Sequence, residues 1–143
     1  MTTVRPRLFG LYLFVADLAA TKKFYSALGL SIEEVSDVFA RASWDGEVYF
    51  EFGTSALTLS YDPKFESPGR LSKATFNFEF VSRTAVDEKY NELISAGYVG
   101  HLAPCDPPWR ARFAIVEDPD GNFIGLHSPR SLDEDRRQER LHS

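Results

Sequence analysis

Residues 17–30 read DLAATKKFYSALGL, and this stretch has the features of a helix with two marked ends. Asp17 suits the N-cap, because its carboxylate can accept a hydrogen bond from the free backbone N–H groups of a first helical turn. Gly29 is placed to end the helix in a left-handed turn. Apolar residues recur at the spacing of one buried stripe, at Leu18, Phe24, Tyr25 and Leu28. The stretch therefore predicts an amphipathic helix that follows a strand at residues 8–15.

The same unit occurs a second time, 65 residues further along the chain. Matching positions agree in residue type rather than identity, as in the pairs Asp17 and Ser82, Tyr25 and Tyr90, Leu28 and Leu93. The apolar positions of the strand before the helix match as well, with Leu11, Leu13 and Val15 falling on Phe76, Phe78 and Phe80. Self-similarity at a fixed period indicates a repeated structural module.

The rest of the chain reads mainly as strands. After the first helix we predict strands at residues 32–35, 38–44, 48–52 and 56–61, with a hairpin turn at Asp45-Gly46. The second copy predicts a strand at 74–81, a helix at 84–96, and strands at 99–103, 112–117 and 123–127. The predicted class is α+β, with two βαβββ modules at about 7–62 and 72–129 in a single domain, residues 1–129. Residues 130–143 form a charged C-terminal tail.

Three motifs resemble the vicinal-oxygen-chelate superfamily, which includes glyoxalase I, extradiol dioxygenases and bleomycin-resistance proteins. They are the helix motif above, EDPDGN at residues 117–122, and PWRARFA at residues 108–114. The last of these looks closest to the metal-free, bleomycin-resistance branch. The resemblance covers residues 7–129, and it implies a curved antiparallel or mixed sheet that forms a cup, with the helices outside.

Charge and composition exclude several classes of partner. The formal net charge of −5 disfavours nucleic acid, which binds basic surfaces. No apolar run approaches the roughly 20 residues that span a bilayer, so no membrane partner is expected. Cys105 is the only cysteine, which excludes an internal disulfide. We expect a cytoplasmic protein.

Side-chain alternation along the strands predicts which face lines the cup. Leu11 and Leu13 face the helix, which turns Tyr12 to the other side, and Phe78 opposes Glu79 in the same way. Aromatic residues among polar ones favour a ligand cavity; the alternative is a solvated outer face of the sheet. The predicted ligand-binding residues are Tyr12, Phe14, Trp44, Thr58, Ser60, Asn77, Glu79, Trp109, Arg112, Phe123 and His127.

The resemblance also implies four positions at which related enzymes carry metal ligands. They fall on residues with no imidazole or carboxylate, namely Gly10, a residue near Thr58, Thr75 and Gly125. Glycine and threonine cannot replace the His, Glu or Gln ligands of such a site. We therefore expect no metal, no cofactor and no catalytic residue of the metal-dependent kind.

Three functions remain open. The first is a small-molecule binding protein of the bleomycin-resistance type, in which Glu79 favours an aromatic or cationic ligand; the resemblance implies a homodimer. The second is a metal-independent enzyme, lyase-like or isomerase-like, that uses Glu79 or His127 as a general base. The third is a regulatory or partner-binding module whose cup is vestigial.

Overall fold

The computed structural model describes residues 5–43, 48–66 and 74–130, and the chain divides into two compact units, Met1–Gly69 and Arg70–Ser143. The elements of the first unit are β1 (Gly10–Val15), α1 (Leu18–Leu28), β2 (Ser31–Ser36), β3 (Phe39–Ser43), β4 (Tyr49–Thr54) and α2 (Ser55–Tyr61). Those of the second are β5 (Thr75–Glu79), α3 (Arg83–Ser95), β6 (Gly100–Cys105), β7 (Phe113–Glu117) and β8 (Phe123–His127). This order confirms an α+β fold built from two βαβββ modules.

The two helices that begin the modules are capped in the same way. Asp17 accepts a hydrogen bond of 3.1 Å from the backbone N–H of Ala20, and Ser82 accepts one of 3.1 Å from that of Ala85. Each pair is separated from the other by the 65-residue shift found in the sequence. The N-cap residues thus begin both helices, as predicted.

Each unit contains a four-stranded mixed sheet of the same topology. The order is β1-β4-β3-β2 in the first unit and β5-β8-β7-β6 in the second. The first strand of each module runs parallel to the last, and the other pairs are antiparallel. The first and last strands of a module are far apart in sequence but lie side by side in the sheet. This pairing brings β5 next to β8.

One face of each sheet is covered by a helix and holds the core. In the first unit, Tyr25 of α1 stacks on Phe52 of β4 at 4.7 Å between ring centroids. In the second, α3 packs on β7 and β8, and the buried apolar residues are Val86, Leu93, Ala114, Val116, Ile124 and Leu126. Burial of this apolar surface is the main favourable term in folding, and it leaves the opposite face of each sheet free for a site.

The strand predicted at residues 56–61 is wrong, because these residues form the helix α2. The hydroxyl oxygen of Thr54 caps the helix by accepting a hydrogen bond of 3.4 Å from the backbone N–H of Leu57. The Thr58 hydroxyl donates back to the carbonyl of Thr54 at 3.2 Å. A six-residue alternation of apolar and polar residues is too short to distinguish a strand from a short helix. The N-cap at Thr54 favours the helix.

Two of the predicted features lie outside the described residues. They are the hairpin turn at Asp45-Gly46 and the charged tail beyond Arg130. Residues 118–122, between the two last strands, form a turn in which buried Asp118 accepts hydrogen bonds from the backbone N–H groups of Asp120 and Asn122, at 3.0 and 2.8 Å. No helix in the described part of the chain is long and apolar enough to cross a bilayer.

Candidate functional site

The open face of the second sheet gathers four of the predicted ligand-binding residues. Asn77 and Glu79 of β5 are exposed on this face, and their register partners in β8 are Gly125 and His127. Partners in a sheet ladder point to the same face. The carboxylate of Glu79 and the imidazole of His127 are therefore neighbours.

Trp109 joins this face from the loop that precedes β7, residues 106–112, which we name the Trp109 loop. Its indole Nε1 donates a hydrogen bond of 2.8 Å to Nε2 of His127. The ring of Phe113 lies edge-on to both, with centroid distances of 5.6 Å to Trp109 and 5.7 Å to His127. Trp109 remains 42% exposed. The three rings form an aromatic wall along one side of the open face.

The hydrogen bonds of His127 define its tautomer. The indole N–H of Trp109 is a donor only, so Nε2 of His127 is the acceptor and carries no proton. Nδ1 lies 2.5 Å from the backbone carbonyl oxygen of Ser128, which can only accept. This arrangement corresponds to the Nδ1–H tautomer, in which both nitrogens are engaged in hydrogen bonds.

A cavity of about 470 Å³ opens on this face, within the range of small-molecule sites. Its lining residues are Asn77, Glu79, His127, Pro129 and Arg130. Glu79 forms no ion pair with any residue in the described ranges. The cavity thus presents an unpaired carboxylate beside the imidazole of His127, which is the member of the aromatic wall that lines it.

Asn77 occupies the centre of the face because Gly125 leaves room for it. A Cβ at residue 125 would overlap the side-chain oxygen of Asn77 and press on the ring of Phe113. The amide of Asn77 therefore lies directly over the backbone of β8. Any larger residue at position 125 has to displace it.

Arg112, which was predicted to bind ligand, points the other way. Its Nε donates to Asp87 of α3 at 2.8 Å, and a terminal nitrogen donates to Asp106 at 3.3 Å. Asp106 also pairs with Arg83. Because α3 packs on the opposite face of the sheet, the side chain of Arg112 is separated from Glu79. Its bond to Asp106 joins the last residue of the Trp109 loop to the first.

The pKa values of this ion cluster reflect the same contacts. The hydrogen bond to Asp87 raises the pKa of Arg112, and Asp106 adds to this shift. Desolvation alone would raise the pKa of Asp106, but the hydrogen bond from Arg112 and the charge of Arg83 outweigh it, so this pKa is lowered. Both partners are therefore held in their charged forms at neutral pH.

The open face of the first sheet carries a polar row across all four strands. Tyr12, Glu51, Arg41 and Glu33 stand opposite one another in register, in that order. The guanidinium of Arg41 lies 5.6 Å from the centre of the Phe39 ring, in the range of a cation–π contact. This row is a second set of polar and aromatic groups, and it lies on the sheet face opposite the helix-covered core.

Tyr12 and Thr58, both predicted site residues, meet at the end of that row. The Tyr12 hydroxyl is 3.3 Å from the hydroxyl of Thr58. Burial raises the pKa of Tyr12, the Thr58 hydrogen bond offsets part of this, and Tyr61 and Glu51 raise it further. The phenol is therefore protonated at neutral pH, and it is the donor in the bond to Thr58, because the Thr58 hydroxyl donates its own proton to the carbonyl of Thr54.

The remaining predicted site residues are placed less favourably. Phe14 packs on Phe65, with 4.7 Å between ring centroids, and Phe123 stacks on His101 at 4.2 Å. The hydroxyl of Ser60 donates to the carbonyl of Leu57 in its own helix, so it is turned away from a strand face. Trp44 lies outside the described residues.

Glu51 was missed by the sequence analysis. It pairs with Tyr12 as Gly125 pairs with Asn77, and the 65-residue shift relates Tyr12 to Asn77. Glu51, and not Thr58, is therefore the counterpart of Gly125 in the first unit. The sequence contained a signal for this residue, because Glu51 lies in the strand predicted at residues 48–52.

The four positions that correspond to metal ligands in related enzymes do not fit a transition metal. With Glu51 in place of Thr58, they hold one carboxylate, one threonine and two glycines, where such sites need three or four imidazole, thiolate or carboxylate ligands. The side chain of Asn77 also lies over Gly125. Within the described ranges, no group of three or more His, Cys, Asp or Glu side chains is placed to hold an ion.

Comparison with known proteins agrees with this architecture. The model of the family described as "Glyoxalase/Bleomycin resistance protein/Dioxygenase superfamily" matches residues 7–126. A search of curated proteins gave no significant match.

Solved structures of similar fold include three with high coverage. A glyoxalase/bleomycin resistance protein/dioxygenase from Nocardioides is 26% identical, with a TM-score of 0.70 over 91% of this chain and 87% of that one. A family enzyme from Burkholderia phytofirmans PsJN is 24% identical, with a TM-score of 0.74 over 86% and 98%. A glyoxalase-related enzyme from Fulvimarina pelagi is 17% identical, with a TM-score of 0.76 over 86% and 88%. The last two establish similarity of fold alone.

Proposed function

The chain belongs to the glyoxalase/bleomycin resistance protein/dioxygenase superfamily, and from this premise we propose that it is a metal-independent protein that binds a small aromatic or cationic molecule. One observation carries the proposal: the cavity beside β5 and β8 contains the unpaired carboxylate of Glu79. The bleomycin-resistance branch of the superfamily is the part of the family whose function this resembles.

The composition of the cavity supports a ligand with a ring and a positive charge. Glu79 attracts the charge, and the partly exposed ring of Trp109, which lies against the lining residue His127, is close enough to add cation–π and stacking contacts. Arg130 lines the same cavity. A bound cation is therefore oriented toward Glu79 and away from Arg130.

The donor set supports independence from metals. Gly10 and Gly125 have no side chain, Thr75 is a weak ligand, and only Glu51 carries a carboxylate. We therefore propose that binding needs no metal. We also propose a cytoplasmic location, which fractionation of the source cell would test.

A second candidate function, an enzyme that removes a proton from its substrate, is favoured by the same unpaired carboxylate. Glu79 is the base in this alternative. His127 is a poorer base in the ligand-free state, because Trp109 and Ser128 engage both of its nitrogens. Consumption of a bound probe in the absence of metal, lost in Glu79→Gln, would favour this alternative.

Calorimetric titration tests the binding proposal. Benzamidinium and its neutral isostere benzamide are titrated into the native protein, into Glu79→Gln, and into the matched control Glu88→Gln, which removes an exposed carboxylate from α3. A charge-assisted hydrogen bond contributes about 1.5–3 kcal/mol, so the native protein and the control should prefer the cation by roughly tenfold or more. Glu79→Gln should lose this preference. Equal preference in all three proteins would overturn the proposal.

A further inference from the structure

Glu79 and His127 together present two hydrogen-bond acceptors on one edge of the cavity. The carboxylate of Glu79 accepts at either oxygen, and in the Nδ1–H tautomer of His127 the acceptor is Nε2, which holds the indole N–H of Trp109 until a ligand replaces it. The two residues are register partners on adjacent parallel strands, which lie roughly 4.8 Å apart. No donor in the described residues is bonded to Glu79.

We propose that this acceptor pair selects a planar cation with two adjacent N–H donors, an amidinium or a guanidinium attached to an aromatic ring. Such a group is a rigid fork of donors that matches two neighbouring acceptors. The inference rests on the proposed function and adds to it the class of ligand. A cation without N–H groups satisfies the charge of Glu79 but has no donor to exchange for the indole N–H of Trp109 on Nε2 of His127.

Trp109 supplies that donor when no ligand is bound. Its indole N–H occupies Nε2 of His127 at 2.8 Å, and its ring is nearly parallel to the imidazole, with 11° between the planes. The side chain is partly exposed on a loop, so it can leave without opening the core. Ligand binding therefore exchanges the indole N–H for one N–H of the cation.

The anchoring of the Trp109 loop keeps this exchange local. Arg112 ties the end of the loop to Asp87 and Asp106, and its backbone N–H donates to the hydroxyl of Ser128 at 2.7 Å. These bonds lie on the side of α3 and do not involve the indole. Trp109 can thus move while both ends of the loop stay fixed.

Three probes separate this inference from the proposed function. They are benzamidinium, its N,N,N′,N′-tetramethyl form, which keeps ring and charge but has no N–H, and neutral benzamide. We expect benzamidinium to bind the native protein about tenfold more tightly than the tetramethyl form, the difference that one charge-assisted hydrogen bond gives. His127→Phe should reduce this preference, because only the hydrogen bonds from the amidinium to Glu79 remain, and an unchanged preference in this variant would overturn the pairing of His127 with Glu79.

Trp109→Phe is the second variant, and it keeps a ring while freeing Nε2. Benzamidinium should bind it severalfold more tightly, relative to the tetramethyl form, than it binds the native protein. Nitrogen-15 NMR of the native protein should show His127 protonated at Nδ1 alone. An Nε2-protonated ring, or equal affinity of the native protein for the two cations, would overturn the proposal that Glu79 and His127 act as a pair of acceptors. If both cations bind equally but more tightly than benzamide, the proposed function stands; if neither exceeds benzamide, the proposed function fails as well.

Discussion

Trp109 donates its indole N–H to Nε2 of His127 across 2.8 Å, between residues 18 positions apart in the sequence. The bond joins the Trp109 loop to the last strand of the second sheet. It corresponds to the Nδ1–H tautomer of the histidine, because Nε2 accepts from the indole while Nδ1–H donates to the carbonyl of Ser128. The state of the cavity is therefore visible in the environment of a single tryptophan.

Trp109→Phe should abolish the change in tryptophan emission that benzamidinium causes. The native indole leaves its hydrogen bond on binding, whereas the variant has no indole at this position. Stability to heat should change little, since the side chain is partly exposed. Trp44→Phe is the control and should retain the response. A response that survives undiminished in Trp109→Phe would assign the signal to Trp44.

Acid should release the Trp109 loop. The pKa of Asp106 is lowered in the folded protein by Arg112 and Arg83, so its ion pairs contribute above the unfolded-state pKa and are lost as the pH falls below about 4. Emission of Trp109 should shift in this range without global unfolding, as followed by far-UV circular dichroism. Asp106→Asn should show the shifted emission already at neutral pH; if its emission equals that of the native protein, the ion cluster does not hold the loop.

Gly125→Ala should destabilise the protein through a clash with Asn77. A Cβ at residue 125 overlaps the Asn77 side-chain oxygen, and because Asn77 is exposed and can turn away, the cost should lie at or below the lower end of the roughly 1–3 kcal/mol that overpacking a core costs. Urea unfolding of the single variants and of the double variant with Asn77→Ala gives the coupling. The cost of Gly125→Ala should fall once Asn77 is shortened. Additive costs would show that the contact with Asn77 is not the cause.

The purified protein should carry no stoichiometric transition metal after dialysis. Gly10, Glu51, Thr75 and Gly125 do not provide a ligand set. Elemental analysis is the measurement, with a metal-binding relative treated in parallel to show that dialysis leaves a true site loaded. Stoichiometric zinc, iron, nickel or manganese would refute metal independence and direct attention to another site.

We expect a homodimer in solution. Each sheet has an edge formed by its first strand, β1 or β5, and the apolar Leu8, Phe9 and Tyr49 are exposed beside β1. Association of two copies protects such edges and covers apolar surface. Light scattering at micromolar concentration measures the mass directly, and a monomer mass at that concentration would contradict the expectation.

The sequence alone determined the repeated module and the facing of its strands. Asp17 and Ser82 begin two helices because a capping side chain acts on N–H groups only a few residues away, and alternation fixed which residues of β1 and β5 face the helix. These are local properties of the chain. They were sufficient to predict the architecture and to place Asn77, Glu79 and His127 on one face.

Local patterns failed where two signals competed or where a partner was distant. Residues 56–61 alternate like a strand, yet the cap at Thr54 makes them helical. The side on which Arg112 forms its ion pairs depended on Asp87, a residue of α3 brought close only by packing. The importance of Glu51 depended on its register with Tyr12.

Only the tertiary structure decided the chemistry of the cavity. Whether Glu79 has a cationic partner, and which nitrogen of His127 carries the proton, depend on hydrogen bonds between atoms that the sequence does not bring together. Alternation gives the face of a side chain, because it follows from the backbone geometry of a single strand. Hydrogen bonds and ion pairs depend on distances of a few tenths of an ångström between separate elements, and these are fixed only when the strands, the helix and the Trp109 loop have packed together.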